Sequence, residues 1–136
     1  MASNTVEILV RWSDGLVFEG LAHGRAPVTV DGDSRATLSP IELLLVAAAS
    51  CSAADVVTIL AKQRVVLRSL EVAAQGTRRE APPRRFTAMH FRFAIAGDGA
   101  DEVKARRAID LSLEKYCSVV ATLAPDTRVT YDVALA

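Results

Sequence analysis

Thiols are the strongest nucleophiles this sequence offers, and it has two, Cys51 and Cys117. A thiolate can attack a peroxide oxygen, and two thiols brought together can cycle through a disulfide. Cys51 ends the stretch "SPIELLLVAAASC", which is almost wholly apolar. A free cysteine in such a place packs as a small hydrophobe, and apolar surroundings raise its pKa above about 8.5. A position in mid-helix also denies it the favourable dipole of a helix N-terminus. A reactive Cys51 therefore needs a cation from elsewhere in the fold. Cys117 falls near a helix junction, and spacing alone leaves open whether the two thiols meet.

Three carboxylates lie near the thiols in sequence. Glu42 follows Ser39 at the spacing of a capping box, which is a sufficient structural reason for it. Asp55 stands one helical turn after Cys51, on the same face and inside apolar sequence. An unpaired carboxylate is costly there, so a partner is expected: an arginine, a hydroxyl or a backbone donor. Glu114 precedes Cys117 by three residues on a charge-rich helix, where a solvated position is the default. His90 falls on the polar side of its strand and is expected to be exposed. The two histidines, His23 and His90, are far apart and neither is near a cysteine, so no zinc site is expected and no cofactor is implied.

The elements that must position these residues follow from periodicity. Val6, Ile8, Val10 and Trp12 alternate with Glu7, Leu9 and Arg11 as in a half-buried strand. "SDG" marks a turn, "LVFEGLA" a return strand, and Val28 to Val30 a third. Ser39 caps a helix that Pro40 can enter without losing a hydrogen bond, with Leu38 and Leu43 spaced as a hydrophobic staple. The helix is expected to run to about Lys62. Leu70, Val72 and Ala74 begin a second sheet region that continues toward Arg79, and "EAPPRR" is a connection. Met89, Phe91, Phe93 and Ile95 share one face of the next strand. A helix is expected from about Asp101 to Tyr116, with Ala105, Ile109, Leu113 and Tyr116 inward. A short helical piece to Ala124 and a last strand through Val129, Tyr131, Val133 and Leu135 follow. The order predicts an α+β domain spanning 1–136, with antiparallel sheets and no parallel βαβ rhythm.

Bulk properties narrow the partners. Sixteen basic and sixteen acidic side chains cancel, so charge supplies no reason to expect nucleic acid or a membrane surface. The N-terminus has no basic stretch followed by an apolar run, and the expected location is cytoplasmic. Ile41 to Ala61 is apolar enough to resemble a membrane span, but Asp55 and its Ala/Ser content favour a core helix. One sheet can cover one face of such a helix. A second copy of the chain is the simplest cover for the remainder, which predicts a homodimer.

Taken together, "SPIELLLVAAASCS" and "AIDLSLEKYCSV" resemble the two thiol motifs of the OsmC/Ohr family, the osmotically inducible and organic hydroperoxide resistance proteins. The likeness is to the YhfA-like branch, through "RW" and "GLVFEG" near the start, "PIEL" before Cys51, "CSAADVV" from it, and "DLSLEKYCSV" around Cys117. With "RREAP" between them, it extends over nearly the whole chain. The resemblance implies an intertwined homodimer whose sheets wrap long central helices, with the two cysteines meeting at the interface. It implies that Cys51 is the peroxidatic thiol and Cys117 the resolving one, with an organic hydroperoxide as substrate and an external dithiol as reductant. A non-catalytic relative holding a small apolar or thiol ligand is the alternative. In the peroxidases an early-loop arginine, held by a glutamate directly after the helix-starting proline, stabilises the thiolate. Here Ile41 occupies that position and Glu42 comes one residue later, rotated by about 100° around the helix. Arg25, in "HGRAP", resembles the arginine loop; Arg84 or Arg85 could serve instead.

Overall fold

The computed structural model describes residues 4–136, and the chain divides into two compact units, one ending at Leu44 and the other spanning Leu45–Ala136. The first is an antiparallel meander of β1 (Leu9–Asp14), β2 (Val17–Leu21) and β3 (Val28–Asp31). Gly15 makes the β1–β2 turn at φ +53°, a left-handed conformation that glycine adopts without steric cost. The ladder begins at Leu9, so Val6 and Ile8 lie before the strand that the alternation predicts. Val10 and Trp12 do alternate, yet they remain 57% and 63% exposed.

The entry to α1 (Pro40–Lys62) is built by local hydrogen bonds. Glu42 accepts from the Ser39 backbone N–H at 3.0 Å and from its hydroxyl at 2.8 Å, while the Ser39 oxygen accepts from the Glu42 N–H at 3.3 Å. The Ser34 hydroxyl also donates to Glu42. Just upstream, the buried Asp31 carboxylate gathers the backbone N–H groups of Asp33, Ala36 and Arg35 at 2.9, 3.0 and 3.3 Å. The expected capping box forms, but Leu38 stays 44% exposed, so the staple covers it poorly.

In the second unit β4 (Val66–Arg78), β5 (Phe86–Asp98) and β6 (Arg128–Leu135) form one sheet with β5 in the middle. Met89, Phe91, Phe93 and Ile95 share the buried face of β5, each at most 1% exposed. Gly76 on β4 leaves room for a neighbour: a Cβ there would overlap the Phe86 ring and approach Leu45 of α1 to 3.1 Å. β4 pairs antiparallel with β5, as expected, but β6 runs parallel to it from Ala88↔Arg128 to Ile95↔Leu135. The correction has a simple cause. The helical segment between β5 and β6 is long enough to return the chain to the starting end of β5, which a tight turn cannot do.

That segment differs in detail from the single expected helix. α2 (Glu102–Leu111) gives way to a π-helical turn, Ser112–Tyr116, and then to α3 (Ser118–Thr122). The Cys117 N–H donates to the Ser112 carbonyl at 2.7 Å, the five-residue reach of a π turn. The wider turn changes which side chains face inward: Ala105, Ala108, Ile109 and Ser112 are buried, whereas Leu113 is half-buried and Tyr116 is 51% exposed.

α1 itself is apolar nearly all round, and its length and composition would suit a membrane span. Within its unit it nonetheless buries one stripe: Ala48, Ser52, Val56 and Leu60, successive positions on one face, together with Ala49. Val46 and Val57, off that stripe, are 46% and 44% exposed.

Candidate functional site

Both cysteines are free thiols, and the second unit brings them together within one chain. The resemblance implies a meeting at a dimer interface; a second copy is not needed to bring them side by side. Cys117 caps the N-terminus of α3, with the Val120 N–H donating to its sulfur at 3.5 Å. Its Sγ lies 4.0 Å from the carbonyl oxygen of Ala48, on the turn of α1 that leads to Cys51. Burial pushes the Cys117 thiol up, against the Val120 N–H that lowers it, and the adjacent Cys51 thiol raises it further. Cys117 is 3% exposed, so it is held as a protonated thiol at neutral pH; Cys51 is more accessible. That asymmetry suits one thiol meeting a small molecule from outside and the other waiting behind it.

Asp55 has a hydroxyl for a partner. The Ser112 side chain lies 2.8 Å from the Asp55 carboxylate and 2.9 Å from the Ser52 hydroxyl. A serine has one hydroxyl hydrogen, so the consistent arrangement has Ser112 donating to the charged Asp55 and accepting from Ser52. Ser52 and Ser112 are both fully buried. Ser112 thus has two tasks. Its side chain holds α1 one turn beyond Cys51, while its carbonyl holds the N–H of Cys117. Sequence reasoning passed over both serines. The available signal was a small hydroxyl residue on an otherwise apolar stripe: Ser52 between Ala48 and Val56, and Ser112 after Ala105 and Ile109.

The other candidates have settings of their own. Glu42 is engaged by Ser34 and Ser39, and those bonds, the Ser34 hydroxyl first, hold its carboxyl below the usual range. Arg25 lies in the exposed loop between β2 and β3, where its N–H reaches the Ala22 carbonyl at 3.2 Å. Arg85 pairs with Asp126 at 2.8 Å, and Arg84 donates to the Arg79 carbonyl at 3.1 Å. Glu114 is exposed on the π turn. His90 is half-buried rather than free: its ring nitrogens lie 2.7 Å from the Thr130 hydroxyl and 3.0 Å from Asp132, across the β5–β6 pair. This contact exists because β6 is parallel, with Thr130 opposite His90.

The fold, the paired thiols and the motifs around them coincide with a family model. Residues 31–132 match the OsmC-like protein family, and the chain belongs to it. It is 40% identical over 123 residues to Protein YhfA of Escherichia coli strain K12, covering 90% of this chain and 92% of that one. A solved hypothetical protein from Aquifex aeolicus VF5 superposes with a TM-score of 0.85 at 29% identity, covering 98% and 99% of the two chains. The organic hydroperoxide resistance protein OhrB of Bacillus subtilis shares the fold at 13% identity, with a TM-score of 0.64 and coverage of 96% and 98%.

Proposed function

We propose that this protein is a thiol-dependent peroxidase that reduces organic hydroperoxides, with Cys51 attacking and Cys117 resolving. The observation that carries the reading is the position of a buried Cys117 against the turn of α1 that leads to the more accessible Cys51, near enough for one thiol to perturb the other. In the first step the Cys51 thiolate attacks the outer peroxide oxygen. The O–O bond breaks, the alcohol leaves with a proton, and Cys51 becomes a sulfenic acid. In the second, the Cys117 sulfur attacks the Cys51 sulfur. Hydroxide leaves and takes up the thiol proton as water, and a disulfide forms. A dithiol then reduces that disulfide and is itself oxidised. Cys117 needs no thiolate at rest in this scheme, which fits a buried thiol whose pKa is raised. Arg25 is the candidate for stabilising the Cys51 thiolate.

A homodimer belongs to the same proposal. The uncovered faces of α1 at Val46 and Val57, and the exposed strand residues Val10 and Trp12, are apolar surface that a second copy would bury. The test is cumene hydroperoxide with a dithiol reductant. Turnover is expected in the native chain and its loss in Cys51→Ser; turnover that survives Cys51→Ser defeats the assignment.

One observation favours a second reading, a non-catalytic protein that holds a small apolar or thiol ligand. Ile41 stands at the family's glutamate position, and Glu42 is already committed to Ser34 and Ser39. Native mass spectrometry of freshly purified protein separates the two: a retained ligand without peroxide turnover supports the binding reading.

A further inference from the structure

Beyond the thiols, the second unit has a cavity of about 510 Å³ between the last turns of α1 and the α2–π-turn segment. Its walls combine apolar surface from Ile59, Leu111 and Tyr116 with polar groups from Lys62, Gln63 and Arg107. The size falls in the range of small-molecule sites, and a few convergent polar groups on an apolar lining are their usual chemistry.

The polar groups are short of partners. Gln63 Nε2 is buried with no hydrogen-bond acceptor, the one such side-chain atom among the described residues. A buried amide donor is normally satisfied. On α2, two successive arginines contrast: Arg106 pairs with Glu102 at 2.9 Å and lies over the Tyr131 ring, whereas Arg107 faces the cavity. Among the described residues neither Arg107 nor Lys62 forms an ion pair. Lys62 and Arg107 therefore border one space without an ion-pair partner, beside apolar walls from Ile59, Leu111 and Tyr116 and polar ones from Asp55 and Thr58.

Charge selects the ligand further. Asp55 also borders the cavity, with its carboxylate turned to the Ser112 hydroxyl. Against Lys62 and Arg107, one acidic wall leaves a single net positive charge. The C-terminal end of α1 adds a partial negative charge of its own. A dianion such as phosphate meets too little positive charge here, and a cation meets too much. A carboxylate fits: it accepts the two parallel bonds of a guanidinium, with the Lys62 ammonium beside it.

We infer that this cavity is a binding site for a small monoanionic amphiphile, its carboxylate held by Arg107 and Lys62 and its apolar body against Ile59, Leu111 and the Tyr116 ring. The site is independent of peroxide chemistry, because none of its donors is a thiol and its readout is binding.

Calorimetric titration of the full chain tests it, with octanoate, octylamine and inorganic phosphate as probes. Octanoate is expected to saturate at one per chain. Arg107→Gln, a helix-compatible change at an exposed position, is expected to weaken it roughly tenfold or more. Lys62→Gln, in a second variant, should weaken it less, since an ammonium makes no bidentate pair. Octylamine or phosphate binding as tightly as octanoate overturns the inference, as does unchanged octanoate affinity in a folded Arg107→Gln, and as does no octanoate binding at all. Loss of peroxide turnover in Cys51→Ser leaves every one of these outcomes unaffected.

Discussion

β1 and β5 carry the same sequence pattern and meet opposite fates. Val10 and Trp12 alternate along β1 as Phe91 and Phe93 do along β5, yet the first pair is more than half exposed and the second is at most 1% exposed. β1 has one neighbour, β2, and occupies a sheet edge; β5 has β4 on one side and β6 on the other. Alternation tells which side chains share a face. It says nothing about whether another element covers that face. The second unit covers the apolar face of β5 itself, whereas the apolar side chains of β1 stay open.

Truncating the two faces should separate them sharply. Phe91→Ala is expected to cost about 3–5 kcal/mol in urea unfolding, the usual cost of a large cavity in a closed core. Val10→Ala should cost well under 1 kcal/mol in a monomeric chain, as at most exposed sites. If a second copy covers β1, its effect becomes concentration-dependent, which sedimentation would reveal. An equal cost for the two substitutions at every concentration would break the comparison.

Smaller effects sharpen it within the second unit. Gly76→Ala forces a methyl into the Phe86 ring and should cost about 1–3 kcal/mol, with a displaced Phe86 visible by NMR. Ser112→Ala leaves the Ser52 hydroxyl and the Asp55 carboxylate without a shared partner, at a cost of about 1–3 kcal/mol. It should also slow formation of the Cys51–Cys117 disulfide under mild oxidant, because Ser112 ties α1 to the turn carrying Cys117. Unchanged disulfide kinetics in a folded Ser112→Ala would limit the serine to a structural role.

The smallest expected effects are at the two ends of the pH scale, one for each unit. In the first unit Asp31 has its pKa lowered, chiefly by the backbone N–H groups of Ala36 and Asp33, and Glu42 by the Ser34 hydroxyl. Lowered carboxylates contribute stability that is present above their unfolded values and lost as pH falls through the folded ones, below about pH 4. In the second unit Cys117 is raised, chiefly by burial, so its contribution is present below the unfolded thiol value and fades as pH rises beyond about 8.5. Amide exchange should therefore loosen first at Asp33 and Ala36 in acid, and first around Val120 in alkali. Simultaneous loosening at both ends of the scale would contradict this division.

Much of the fold was legible because it is local. The start of α1 follows from Ser39, Pro40 and Glu42, which satisfy one another across three residues. The buried face of β5 follows from the two-residue period of a strand. The α2 region was legible only as far as the π turn, since one extra residue in a turn rotates Leu113 and Tyr116 off the face that a regular helix predicts. The parallel β6 was not legible, because an apolar alternating strand reads the same in either direction.

What the sequence by itself determined is the set of local structures, the apolar face of each, and the motifs by which this chain joins the OsmC-like proteins. Tertiary structure alone decided that Cys117 lies against the Cys51 turn, that Asp55 answers to Ser112, and that Arg107 borders the cavity beside the end of α1 while Arg106 pairs with Glu102. The physical reason is separation along the chain. Bonds between near neighbours are set by the backbone geometry of one element, whereas partners such as Ser52 and Ser112, 60 positions apart, meet only when packed elements bring them into register.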